Sequence, residues 1–169
     1  IPTGLSGSEW ANTSEGAYAI YNDDLENAEI YGNLYNWYAV DDERGICPDN
    51  WHIPSDNEFK DMEIFLGMSI VESNGFEWRG DNEGGKIKST GLLENQNGLW
   101  LSPNEGASNE SGFSGLPAGS IDFHVNNDPI SHGLNSYVVF WTTKNESIYY
   151  RQLNYNQQKI LRRHINNNN

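Results

Sequence analysis

Between Ser55 and Gly67 the apolar residues Phe59, Met62, Phe65 and Leu66 return at helical spacing, with Lys60, Asp61 and Glu63 between them. This pattern predicts an amphipathic helix that leaves those three polar residues in water. Its start is marked twice: Ser55 and Glu58 make an S-x-x-E capping box, and Pro54 ends the extended segment before it. Asp56 and Glu58 fall in the first turn, where the helix dipole favours anions, and Gly67 closes the segment. Residues 34–40 alternate as a strand does, with Leu34, Asn36, Tyr38 and Val40 on one side and Tyr35, Trp37 and Ala39 on the other. This aromatic strand is the expected partner of the helix.

The rest of the chain reads as short strands and long connections. Residues 17–21 alternate as a strand, and residues 22–29 form an acidic turn or short helical segment. Residues 68–82 carry Ile70, Val71, Phe76 and Trp78 among Gly and Asn, the pattern of an irregular excursion that tucks its apolar groups beneath itself. Residues 112–121 predict a strand bent at Pro117, with Phe113, Leu116 and Ile121 inward. Residues 123–135 read as a polar loop with His124 and His132 exposed, and residues 137–143 as a buried strand. Residues 147–154 and 159–165 both alternate across a short polar link, which predicts a hairpin. The fold class expected is α+β, with short helices packed on small antiparallel sheets in one loop-rich domain over 1–169.

Composition narrows this further. At 169 residues, 12% aromatic, with 17 glycines and a mean hydropathy of −0.72, the chain is an ordered, aromatic-cored domain and not a disordered one. The sequence has no apolar run near the length that spans a bilayer, so it predicts no membrane insertion. It opens with IPTGLSGSEW, which has neither region of a signal peptide; any export signal is expected to have been removed. Net charge is −14, divided as −18 over residues 1–143 and +4 over residues 144–169. Such a surface repels nucleic acid and anionic membrane, and the basic island is too small to assemble a phosphate-binding face.

No catalytic pattern stands out. The chain has no Gly-x-Ser-x-Gly elbow, His-Glu-x-x-His or P-loop, and its carboxylates are too many for a glycosidase pair to be singled out. Cys47 is the sole cysteine, in a turn with His52 on the same short segment, which is too local for an activated thiol. Calcium is the one cofactor the oxygen-rich loops suggest, through Asp81, Glu83, Asn109 and Glu110, although no full ligand pattern appears. Loop hydrogen bonding is the favoured role for Asn109 and Glu110.

Several motifs in order resemble the Fibrobacter succinogenes major paralogous domain. They are Gly32-Asn33-Leu34-Tyr35-Asn36-Trp37-Tyr38-Ala39-Val40, then Gly45-Ile46-Cys47-Pro48-Asp49-Asn50-Trp51-His52-Ile53-Pro54-Ser55-Asp56-Asn57-Glu58-Phe59. Gly84-Gly85-Lys86 and the stretch from Ser102 to Gly119 continue the likeness, which resumes more weakly at Trp141-Thr142-Thr143 and Tyr150-Arg151-Gln152-Leu153. The resemblance implies a C-type-lectin-like domain on an exported bacterial protein, similar in fold to formylglycine-generating enzymes and to retroelement-diversified binding proteins, with no settled activity. Those enzymes use paired cysteines, which a chain with one cysteine does not supply. Ser102-Pro103-Asn104 is similar to the Glu-Pro-Asn sugar tripeptide of true C-type lectins, but a serine stands where the carboxylate belongs.

The likeness also bears on the end of the chain and on ligands. In the family a cysteine on a final Gly-Phe-Ser-Val-Arg-Cys strand pairs with one at the position of Cys47, and that strand is not legible before Asn166–Asn169. Either the chain is truncated, or a neighbouring subunit supplies the strand by β-augmentation. The fold implies an exposed ligand-facing surface after the core strands. Here Tyr149, Arg151, Asn154, Tyr155, Asn156, Gln158, Lys159, Arg162, Arg163 and His164 give that surface the Tyr, Arg and Asn of a paratope. The functional expectation is a non-catalytic, secreted or cell-surface recognition or adhesion domain binding a protein or glycan. The alternative is a structural subunit of a pilus or envelope assembly.

Overall fold

The computed structural model describes residues 1–123, 129–143 and 147–165 of the chain, and side chains outside 122–130 within them. The protein is α+β. In chain order it contains α1 (Gly7–Asn12), β1 (Tyr18–Ala19), a 3-10 turn (Tyr21–Asp23), α2 (Leu25–Tyr31), β2 (Leu34–Tyr35), α3 (Trp37–Val40), α4 (Asp56–Phe65) and α5 (Ile70–Ser73). There follow β3 (Glu77–Arg79), α6 (Glu83–Ile87), β4 (Ser120–Phe123), β5 (Pro129–His132), β6 (Tyr137–Trp141), β7 (Ile148–Asn154) and β8 (Ile160–Ile165). A four-stranded antiparallel sheet in the order β3-β8-β7-β6 is the backbone of the fold, flanked by the two-stranded pairs β1-β2 and β4-β5.

The helix marked most clearly in the sequence forms with the expected cap. The Ser55 hydroxyl accepts from the Glu58 N–H at 3.2 Å, while the Glu58 carboxylate accepts from the Ser55 N–H at 2.8 Å, satisfying two donors that the first turn leaves over. The Ser55 N–H and hydroxyl, with the His52 imidazole at 2.7 Å, hold the Glu58 carboxyl down to about 2. Three of the four apolar positions lie inward as expected, Phe59 and Leu66 buried and Met62 packed on the core, but the same face also buries two carboxylates. Asp56, Phe59 and Glu63 face inward, Glu63 with no exposure, and Phe65 is 88% exposed. The reason lies on the sheet. Arg151 of β7 and Arg162 of β8 are paired across the ladder and buried against the helix, so the inward positions must carry carboxylates.

Asp56 Oδ1 accepts from Arg151 Nη1 and Arg162 Nε, both at 2.8 Å; Oδ2 accepts from Arg162 Nη2 at 2.8 Å and Lys60 Nζ at 3.0 Å. Glu63 Oε1 accepts from Arg151 Nε at 2.6 Å and Arg79 Nη2 at 2.8 Å, and its Oε2 from Arg79 Nη1 at 2.9 Å. Burial by itself raises the Asp56 carboxyl, but hydrogen bonds from Arg162 and the charge of Arg151 outweigh it and hold the group well below the carboxylate range. Six charged side chains from α4, β3, β7 and β8 are thereby fastened into one lattice.

Beside the lattice sits the apolar core of Leu66, Met68, Ile87, Trp100, Ala118, Val138, Leu153 and Ile160, with Tyr31, Leu34, Met62, Phe140 and Tyr155 packed on it. Lys88, fully buried, donates from Nζ to the carbonyls of Glu105 at 2.9 Å and of Asn154 and Gln157 at 3.0 Å. All three of its protons are used, and the long central loop is stapled to the β7–β8 turn. Gly84 and Gly85 allow this closeness: a Cβ would lie 2.4 Å from the Lys159 carbonyl at the first and 2.2 Å from the Gly106 carbonyl at the second.

Several expectations are corrected. The aromatic run is a two-residue strand, Leu34–Tyr35, followed by the helical turn Trp37–Val40, because Asn36 caps that turn by accepting from the Ala39 N–H. Helix α4 docks on the large sheet and not on that run. Residues 68–82 are no irregular excursion: they form α5 and then β3, which pairs with β8, while Ile70 and Val71 stay 69% and 83% exposed. Residues 112–119 are not a continuous strand and make only isolated bridges, at Gly115 and Gly119, before β4 begins at Ser120; β4 pairs with β5, which lies within the loop expected over 123–135. His124 and residues 166–169 lie outside the described residues.

The C-terminal hairpin forms as read, with Gln152 opposite Leu161 and Tyr149 opposite His164. Neither of its strands presents a free edge for a neighbour's strand: β7 lies between β6 and β8, and β8 between β7 and β3. The outer side of β6 is partly covered too, by parallel bridges of Val138 to Gly119 and Thr143 to Ser55.

Candidate functional site

The ten residues proposed for a ligand face on the hairpin are not brought together. Arg151 is fully buried and Arg162 is 3% exposed, both committed to Asp56, so neither belongs to an accessible surface; this is a correction with a plain cause, since each guanidinium answers a buried carboxylate. Tyr155 is half-buried against the core, and Asn154 and Gln158 are half-buried, with Gln158 donating to Glu105 at 3.0 Å. Asn156 and Lys159 are exposed at the β7–β8 turn, whereas Arg163 and His164 are exposed at the far end of β8. Lys159 and Arg163 are about 13 Å apart along the strand. Arg163 is itself clamped by Glu77, 2.7 Å away.

Tyr149 has a separate role. With Phe76 and His164 it forms an aromatic cluster, rings 5.2–6.4 Å apart, lying over the Arg162 guanidinium at 4.3 Å from Tyr149 and 4.7 Å from Phe76. Arg162 thus joins a cation–π contact on its outer side to an ion pair on its inner side.

The calcium candidates also have other partners. Glu83 is buried, and its Oε2 accepts from the Asp81 and Asn82 N–H groups at 2.8 and 3.1 Å. Asn109 brackets Ser114, accepting from its N–H and donating to its hydroxyl, both at 2.8 Å, which closes the 109–114 loop as the sequence suggested. Asp81 and Glu110 are exposed. Among the described residues no three His, Cys, Asp or Glu side chains converge as a metal site. Asn104, of the lectin-like tripeptide, is buried and donates to the carbonyls of Ser89 and Gly91 at 3.1 Å, so its amide serves the loop and not the surface. Cys47 is a free, half-buried thiol.

What the fold does assemble is a cleft of about 1320 Å³ along β6. One side is built from the β2–α3 segment and the loop 51–54, the other from the sheet residues Val139, Trp141, Tyr150 and Gln152. Trp10, Trp37, Trp51 and Trp141, four of the six tryptophans, line it. Trp141 donates from Nε1 to the Tyr35 carbonyl at 3.1 Å and meets the Tyr150 ring edge-on at 5.8 Å, which ties the two walls together. Trp51 stands at the mouth, 75% exposed. Sequence reading passed over these residues because they belong to four separate segments. One signal was present: Trp51 sits in a turn between Asn50 and His52, outside any periodic apolar run, where burial does not explain a tryptophan.

The architecture defines a loop-rich α+β domain, held by a buried ion lattice and opened by an aromatic cleft. The chain belongs to the Fibrobacter succinogenes major domain family (Fib_succ_major), whose model matches residues 3–169. Neither a curated protein nor a solved structure matches it.

Proposed function

We propose that this chain is a non-catalytic recognition domain with a C-type-lectin-like fold, carried by a secreted or cell-surface bacterial protein and used for adhesion to a protein or glycan ligand. The observation that carries this reading is the cleft: it is large, concave and lined by aromatic rings from both walls, the properties of a ligand seat. The site is therefore the cleft beside β6 and not the face of the C-terminal hairpin. The Trp141 hydrogen bond to the Tyr35 carbonyl joins the two walls before a ligand arrives, which spares the ligand part of the cost of ordering them.

Binding of the whole chain to an array of envelope proteins and glycans tests this, with Trp51→Ala and Lys159→Ala as variants. Trp51→Ala should lose binding and Lys159→Ala should keep it. The reverse outcome returns the site to the hairpin. If the chain binds nothing and instead forms defined assemblies in light scattering, it is a structural subunit and the recognition reading is wrong.

A further inference from the structure

We infer that the cleft takes an uncharged carbohydrate and holds it by ring stacking and amide hydrogen bonds, without a metal ion. This rests on the cleft being the ligand seat, as proposed above. Among the described residues its lining contains eleven Phe, Trp or Tyr rings and not one Asp, Glu, Lys or Arg, in a chain of which 20% is charged. Over a lining of this size, about six charged residues would be expected from that share. A charged ligand group entering the cleft would be desolvated with no described Asp, Glu, Lys or Arg to meet it, and the two histidines of the lining are already engaged, His52 by the Glu58 carboxylate at 2.7 Å and His164 by the Phe76 and Tyr149 rings. The ligand is therefore neutral, although the protein as a whole carries −14.

The amides and hydroxyls of the described lining both donate and accept. Asn33 is exposed, with both donor and acceptor; Gln152 lines the cleft and donates from Nε2 to Asn154 at 2.8 Å, its Oε1 being an acceptor; Tyr35, 36% exposed, adds a hydroxyl. A polyol satisfies such a mixed set, because each hydroxyl both donates and accepts, whereas a purely apolar segment would leave it unpaired. Sugar rings also carry flat C–H faces, which suit the exposed face of Trp51. Calcium-mediated sugar binding needs carboxylate ligands, and none of Asp81, Glu83, Asn109 or Glu110 lines the cleft. The volume of about 1320 Å³ exceeds that of pockets for single small ligands, which points to an oligosaccharide.

The test is a microarray of neutral and anionic glycans probed with the full chain in excess EDTA, followed by affinity electrophoresis through gels holding galactomannan, hydroxyethylcellulose or polygalacturonate. At least one neutral glycan should be retained, unaffected by EDTA or by high salt. Trp51→Ala should weaken that retention about tenfold, roughly 1.4 kcal/mol, and Asn33→Ala should weaken it less, with circular dichroism unchanged in both. Retention by anionic glycans alone, loss of retention in EDTA, or no retained neutral glycan overturns the inference. A protein ligand that depends on Trp51, with no glycan bound, removes the carbohydrate assignment and leaves the cleft as the site. Glycan binding unchanged in both variants removes the cleft itself.

Discussion

Replacing Glu63 by glutamine removes one negative charge from the buried lattice while preserving its shape. The side chain has no exposure and accepts three hydrogen bonds, one from Arg151 and two from Arg79. With glutamine there, an NH2 group faces a guanidinium whichever way the amide turns, and Arg79 keeps its charge with one neutral amide oxygen, the Ser73 carbonyl and the Met68 sulfur in place of a carboxylate. Breaking a buried pair from one side costs about 3–5 kcal/mol, since the other charge is left uncompensated. For a domain of this size each kcal/mol lowers Tm by about 2–4 °C, so Glu63→Gln should melt roughly 6–20 °C below the parent. The assay is thermal unfolding followed by far-ultraviolet circular dichroism, with tryptophan fluorescence as a second probe of two-state behaviour. A loss of less than about 3 °C would show that the lattice contributes little, and the reasoning would be wrong. Glu72, an exposed glutamate on α5, is the control: Glu72→Gln should stay within about 0.5 kcal/mol.

Three further outcomes follow from the same contacts. Asp56 has a folded-state pKa below its ordinary 3.8, so its contribution is complete above that value and is lost as pH falls through the folded one; the urea-stability gap between the parent and Asp56→Asn should be wide at pH 7 and narrow below pH 4, and a constant gap refutes it. Lys88→Met keeps the stem but abandons three carbonyls, so it should cost about 2–4 kcal/mol, read as a lower urea midpoint; an unchanged midpoint would mean that water replaces the ammonium. Chelation should leave Tm in place, because Glu83 and Asn109 are engaged by backbone and side-chain partners; a fall beyond about 4 °C, worth roughly 1 kcal/mol or more, would reveal a structural calcium.

The sequence alone determined whatever is local. The α4 cap was legible because Ser55 and Glu58 satisfy each other within one turn, and the β7–β8 hairpin because both strands alternate across a short link. The Asn109 loop was legible for the same reason, its partner Ser114 being five residues away. The family likeness, too, rests on contiguous motifs.

Tertiary structure decided which face of each element is inside. Charged residues read as solvent-facing, so Glu63 was assigned to water and Arg151 and Arg162 to a ligand surface; Phe65 was assigned to the core for the converse reason. Their true places depend on one another. A buried guanidinium is tolerable only against a buried carboxylate, and the partners lie 88 to 106 residues apart in the chain. The β3 strand escaped notice likewise, because three residues carry no period and exist as a strand only by pairing with β8. The cleft is the extreme case: its rings come from segments with no common pattern, and the lack of Asp, Glu, Lys and Arg among its described lining residues is a property of a surface that only the folded chain possesses.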